Sequence, residues 1–139
     1  AYRDRSLSTY GSSVLTSPTA RSLDLLRKEG YLCQVVERFN QFSMKRIDLF
    51  SVIDICAIRA DVNGVCGIQA TSTSNLPARV KKSLAEPALL VWLQAGNHFS
   101  CWGWAKRGKK DERKTWTLKQ VKFCVENNVV KVVDTGVDK

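Results

Sequence analysis

Two polar side chains interrupt segments that are otherwise apolar. Asp54 breaks the run Val52-Ile53-Asp54-Ile55-Cys56, and Gln69 breaks Gly67-Ile68-Gln69-Ala70-Thr71. A carboxylate in a core strand is expensive unless it is paired or bound to a cation. Between the two segments, Val62-Asn63-Gly64 carries the Asn-Gly signature of a tight hairpin turn, so Asp54 and Gln69 fall on adjacent antiparallel strands. Glu37, in Val35-Val36-Glu37-Arg38, adds a third oxygen-bearing side chain from a neighbouring strand. Three such oxygens converging on one point suit a hard cation, with Mg²⁺ keeping several waters. The same residues admit a plainer arrangement, in which Asp54 pairs with Arg38 or Arg46 and Gln69 caps a sheet edge.

A second constellation is cationic. Lys106, Arg107, Lys109, Lys110, Arg113 and Lys114 form a basic loop beside Trp102, Trp104 and Trp116. Lys and Arg neutralise phosphates and aromatic faces stack on bases, which makes a nucleic-acid surface. Alternatively the tryptophans belong to the core and the loop is only solvated. Trp102 and Trp104 share strand parity and face one side together. Arg79, Lys81 and Lys82 add basic charge on a helix that follows the Gln69 strand. His98 is the only histidine and sits at a turn without a Cys or His partner at ligand spacing, so it reads as structural or exposed.

The whole-chain balance agrees with a polyanionic partner. Among 139 residues, 22 Lys and Arg face 13 Asp and Glu, giving a net charge of +9. Residues 1–70 carry 9 basic and 7 acidic side chains, and residues 71–139 carry 13 and 6, so the excess lies in the second half. Hydrophobic residues at 44% and charged residues at 25% describe a globular chain long enough for one domain with its own core. No apolar run reaches the ~20 residues of a membrane span. The five cysteines are odd in number and lack C-x-x-C spacing, which argues against a disulfide knot or a zinc finger. Reduced thiols without a signal segment give the expectation of an intracellular, cytoplasmic protein.

These side chains need elements to position them. Residues 1–16 lack an apolar period and read as a flexible N-terminal arm. Ser17-Pro18 opens a helix that Gly30 stops. Tyr31–Phe39 reads as a strand, Asn40–Arg46 as a polar loop, and Leu49–Arg59 as a long apolar strand whose antiparallel partner is Val65–Thr71. Asn75 caps a second helix, with Leu76, Val80 and Leu84 on one stripe, and Pro87 ends it. Ala88–Gln94 and Phe99–Ala105 read as strands around a turn at Ala95-Gly96-Asn97. Leu118–Asn127 is helix or strand by period, and Val129–Val133 is a terminal strand or tail. The sum is α/β, a central mixed β-sheet flanked by helices.

This order resembles the PD-(D/E)XK nuclease superfamily, and within it the Holliday-junction-resolvase-like members. The resemblance runs from Leu25 to Lys82, a little under half the chain. Its motifs are Leu26-x-x-x-Gly30-Tyr31, Val36-Glu37-Arg38, Asp48-Leu49-Phe50-x-x-Ile53-Asp54-Ile55 and Gly67-Ile68-Gln69-Ala70-Thr71-Ser72. It implies a restriction-endonuclease-like domain over residues 17–139, with Glu37, Asp54 and Gln69 binding Mg²⁺ or Mn²⁺. It also implies Mg²⁺-dependent hydrolysis of DNA phosphodiesters, with branched DNA as a substrate and a homodimer that makes two symmetric cuts. Two positions depart from the pattern. Gln69 stands where an acid is usual, which keeps an oxygen ligand and removes a negative charge. Thr71 stands where Lys is usual, so either another Lys substitutes, with Lys81 or Lys82 and less directly Lys45 as candidates, or the activity is reduced or lost and the Lys81–Lys82 pair only contacts phosphate or solvent. The alternatives are a nuclease-like DNA-binding module without cleavage, and a small structural domain whose Asp54 is simply salt-bridged.

Overall fold

The computed structural model describes residues 17–138, and the arm expected over residues 1–16 lies outside them. Helix α1 spans Pro18–Lys28. Its start is set by Ser17, whose hydroxyl accepts the Ala20 amide at 3.0 Å, and by Pro18 in the first turn. Gly30, at φ +87°, turns the chain back after the last turn, as the sequence predicts.

The strands are β1 (Leu32–Val35), β2 (Arg38–Asn40), β3 (Lys45–Ile47), β4 (Ile55–Ile58), β5 (Cys66–Ser72), β6 (His98–Arg107), β7 (Thr115–Glu126) and β8 (Val129–Asp138). A 3₁₀ turn over Thr73–Asn75 leads into α2 (Leu76–Leu84), and α3 spans Pro87–Gln94. Six strands form one mixed sheet in the order β1-β4-β5-β6-β7-β8, with β5 and β6 parallel and the other neighbours antiparallel. Strands β2 and β3 form a separate two-stranded ribbon. The α/β class with a mixed sheet is therefore present. No helix among the described residues is long and apolar enough to cross a membrane.

Each face of the sheet has its own apolar cluster. On one, Leu23 and Leu26 of α1 pack on Ile55, Ile68, Trp102, Trp104 and Leu118. On the other, Leu76 of α2 and Leu89 and Leu93 of α3 pack on Ile53, Phe99, Val121 and Phe123. Trp102 and Trp104 are thus core residues, and each indole N–H is satisfied inside the fold. Trp104 donates to the buried Ser22 hydroxyl at 3.0 Å and Trp102 to Ser100 at 3.0 Å.

Several sequence expectations change. The strand expected over Tyr31–Phe39 is divided, because the chain leaves the main sheet after Val35 and re-pairs as β2 with β3. The loop expected over Asn40–Arg46 is consequently a hairpin. Its turn is held by the Asn40 carboxamide, which accepts the amides of Phe42 and Ser43. The long strand expected from Leu49 starts only at Ile55. Before it, Phe50 and Ser51 adopt positive φ, +51° and +69°, and Leu49 and Ile53 bond to each other across a tight turn. Ala88–Gln94 is helix, not strand. The Glu86 carboxylate accepts the Ala88 amide at 2.9 Å, Pro87 fits the first helical turn, and Leu89 and Leu93 bury one face. Pro87 therefore begins a helix as well as following one. The ambiguous Leu118–Asn127 segment lies mainly in strand β7.

His98 is a structural residue. Its ring nitrogen lies 2.7 Å from the Asn63 carbonyl, and its backbone amide donates to the Val65 carbonyl at 2.9 Å. Asn97 accepts the Val65 amide at 3.0 Å, so the β4–β5 and α3–β6 turns are tied together.

Candidate metal centre

Four segments meet beside the start of β4. Glu37 follows β1, Asp48 follows β3, Asp54 precedes β4, and Gln69 lies inside β5. The backbone pins Asp54 from both sides: its carbonyl accepts from Val36 at 2.8 Å and its amide donates to Ile68 at 2.9 Å. The tight turn through Phe50 and Ser51 folds Asp48 back toward it. As a result, one carboxylate oxygen from each of Glu37, Asp48 and Asp54 lies within 4.8 Å of the others.

Gln69 closes the cluster from below and is fully buried. Its Nε2 donates to Asp54 Oδ2 at 2.8 Å and to Asp48 Oδ2 at 3.3 Å. Asp54 Oδ2 also accepts the Ala70 amide at 2.9 Å. Gln69 Oε1 is buried with no hydrogen-bond partner. In this arrangement Gln69 presents its nitrogen, not its oxygen, to the acids. A half-turn of the amide would exchange the two atoms and retain the position.

Electrostatics follow from the crowding. Burial first, and then the neighbouring Asp48 carboxyl, push the Asp54 carboxyl up to about 8. Asp54 therefore holds a proton at neutral pH that Asp48 accepts, which relieves the repulsion between adjacent carboxylates. Glu37 is tied at the rim, where Arg46 donates to its Oε1 at 2.9 Å. Asp54 itself makes no ion pair with Arg38 or Arg46.

Asp48 belongs to the cluster although sequence reasoning assigned it no role. Its signal was its position: an acid six residues before Asp54, separated by a segment that has to turn. Thr71 is buried on the same face of β5 as Gln69 and carries no charge. Lys81 and Lys82 are exposed, on the side of α2 away from its buried residues Leu76 and Ser83. Arg79 is the half-buried cation of that helix. Cys101, opposite Gln69 on β6, feels both Asp54 and Arg79: burial lifts its thiol to about 11, Asp54 adds to the rise, and Arg79 opposes it. Lys45, Lys106, Arg107, Lys109, Lys110, Arg113 and Lys114 are exposed. Trp116 is partly exposed, and its ring is covered by the Arg21 guanidinium at 3.5 Å with Lys106 at 5.7 Å.

Comparison with protein-family models, with curated proteins and with solved structures gave no match.

Proposed function

We propose that this chain is a divalent-cation-dependent DNA endonuclease with a restriction-endonuclease-like fold of the PD-(D/E)XK type. The observation that carries the reading is the convergence of Glu37, Asp48 and Asp54 on a buried Gln69 whose Oε1 has no partner. The donors fit a hard cation. The three carboxylates offer oxygens within 4.8 Å of one another, and a half-turn of the Gln69 amide would put Oε1 where Nε2 now donates to Asp54 and Asp48. Glu37, Asp48, Asp54 and Gln69 Oε1 are the residues that would hold Mg²⁺ or Mn²⁺. When bound, such an ion supplies electrostatic stabilisation of the charge that develops on a phosphate under attack.

The remaining work falls to the chain itself. Hydrolysis joins a water oxygen to phosphorus and breaks one bridging P–O bond, with the departing oxygen taking up a proton. Asp54 would hold a cation as a carboxylate, its proton passing to solvent. Thr71 provides no positive charge, and Arg79 is the half-buried cation of α2. The exposed cations of the β6–β7 hairpin extend from the same end of the parallel β5–β6 pair and hold the DNA backbone. A homodimer would place two such centres on the two strands of a branched substrate.

The second reading is a DNA-binding module of the same fold. It is favoured by the uncharged Thr71 and by the solvent-facing Lys81 and Lys82. Incubation with Mg²⁺ or Mn²⁺ on linear, branched and single-stranded DNA separates the two. Strand scission that stops on chelation is expected. Metal-independent binding with no scission of any DNA form would leave only the module.

The loop makes a separate prediction. Replacing Lys109, Lys110, Arg113 and Lys114 by Gln should weaken DNA binding and flatten its salt dependence, each lost phosphate contact removing ~0.9 from the slope of log K against log salt. An unchanged slope would mean that the hairpin points away from the DNA.

A further inference from the structure

The β2–β3 ribbon carries large apolar side chains where water normally keeps them out. Phe42 at its tip is 99% exposed, Met44 71% and Phe39 54%. Isolated exposed apolar residues are ordinary, but here three stand on one short projection. The projection is built. Arg38 pairs with Ile47, Phe39 with Arg46 and Asn40 with Lys45, and the Asn40 carboxamide clamps the turn through the amides of Phe42 and Ser43. The tip is therefore held out by hydrogen bonds of its own.

Its surroundings select the occupant. From Arg38 to Ile47 the ribbon has three cations and no acid: Arg46 is paired with Glu37 at its base, and Arg38 and Lys45 are exposed. Its two ends are Glu37 and Asp48, two of the three carboxylates of the candidate metal centre, so the ribbon is rooted in that centre. Three residues of extended chain, Arg38–Asn40, span ~10 Å before the turn that carries Phe42, further than the ~8 Å depth of either groove of a DNA duplex. With a phosphate at the acids, Phe42 and Met44 reach the base stack. Phe and Met are among the side chains that proteins push between base steps, at an unstacking cost that falls where the stack is already open.

We propose that the ribbon is a wedge: Phe42 and Met44 enter a base step beside the phosphate presented to the carboxylates, and this selects DNA whose stacking is interrupted, at a branch, bulge or nick, over continuous duplex. The inference rests on the DNA reading above and names the substrate class of that site.

The test uses the full chain in chelator, so that it does not depend on cleavage. Duplexes carrying 2-aminopurine are compared with and without a two-nucleotide bulge, for wild type and for the double variant Phe42→Ser/Met44→Ser. Both positions are exposed, and circular dichroism and the melting temperature confirm that the variant folds. Wild type should bind the bulged DNA about tenfold more tightly than the continuous duplex and raise the 2-aminopurine fluorescence. The variant should lose both effects and bind continuous duplex within about twofold of wild type. A variant that retains the preference and the fluorescence rise overturns the wedge. Phosphatidylglycerol vesicles that capture wild type but not the variant, or self-association in the ultracentrifuge that the variant loses, overturn it when DNA behaviour is unchanged, and place a membrane or a second copy on the tip. Binding to no DNA form overturns the wedge together with the DNA reading. Cleavage that survives in the variant with wild-type substrate preference overturns the wedge alone.

Discussion

Asp54→Asn is expected to lower cation-dependent cleavage by at least ~100-fold, since even residues that only support a metal ligand typically cost roughly 10–100-fold. The fold should survive. The introduced carboxamide can accept the Gln69 and Ala70 hydrogen bonds that Asp54 Oδ2 accepts now, and its NH₂ group can donate to Asp48 as the protonated carboxyl does. Affinity for DNA in chelator should stay level at neutral pH, because Asp54 is protonated there and the substitution removes no charge.

The same substitution has a signature in stability. Burial and Asp48 raise the folded-state pKa of Asp54 to about 8, whereas an unfolded Asp titrates near the usual 3.8. Its contribution to metal-free stability is therefore complete below about 4 and disappears as pH rises through about 8. Over that window wild type should lose up to ~1.4 kcal/mol per pH unit relative to the Asn variant, which has no proton to lose. Urea melts at pH 5 and pH 8 in chelator measure this directly. Parallel pH dependences, or cleavage retained in the variant, would remove Asp54 from the centre.

Gly64→Ala should be the most damaging small substitution in the fold. Gly64 sits at φ +84°, and an added Cβ would lie 2.1 Å from the Gly96 carbonyl oxygen. The left-handed backbone alone costs ~1–2 kcal/mol, and the clash forces apart the two turns that His98 and Asn97 tie together. A loss of about 3 kcal/mol or more is expected, lowering the melting temperature by roughly 10 °C. Gly96→Ala is the internal control. It has a similar φ of +91° with nothing within 4 Å of its Cβ, so it should cost only the backbone term. Equal losses in the two variants would show that the contact between the turns contributes nothing.

What could be read from the sequence depended on how local its cause is. Ser17-Pro18 and Gly30 bound α1 through caps and φ preferences that neighbouring residues decide. The tight Asn63-Gly64 turn is not formed. Instead β4 passes to β5 through residues 59–65, with a turn closed by the Val62 amide on the Arg59 carbonyl and positive φ at Gly64 alone. The antiparallel pairing expected from it still brings Asp54 and Gln69 together. Pro87-Ala-Leu-Leu-Val-Trp-Leu-Gln is apolar on every side, so no period distinguishes helix from strand. There the Glu86 cap decides, a single hydrogen bond. Asp48 escaped because its approach depends on Phe50 and Ser51 taking positive φ, which neither residue type announces. The ribbon escaped because a polar stretch between two apolar ones looks like a loop until its pairing partner is known.

The β5–β6 pairing has a consequence in time. It is the one parallel seam of the main sheet, and the chain joins its two strands only after the excursion through α2 and α3. On either side of it, β4–β5 and β6–β7–β8 are local meanders that close over short stretches. Short closures are fast and distant ones slow, so the two halves of the sheet are expected to form first and to dock along this line last. Gln69 lies on the line, opposite Cys101. All three carboxylates belong to the early half, and the amide that holds them is buried only when the late half arrives. Pulse-labelled amide exchange during refolding reads this order, with protection of β6 at Cys101 lagging behind that of the β4–β5 hairpin.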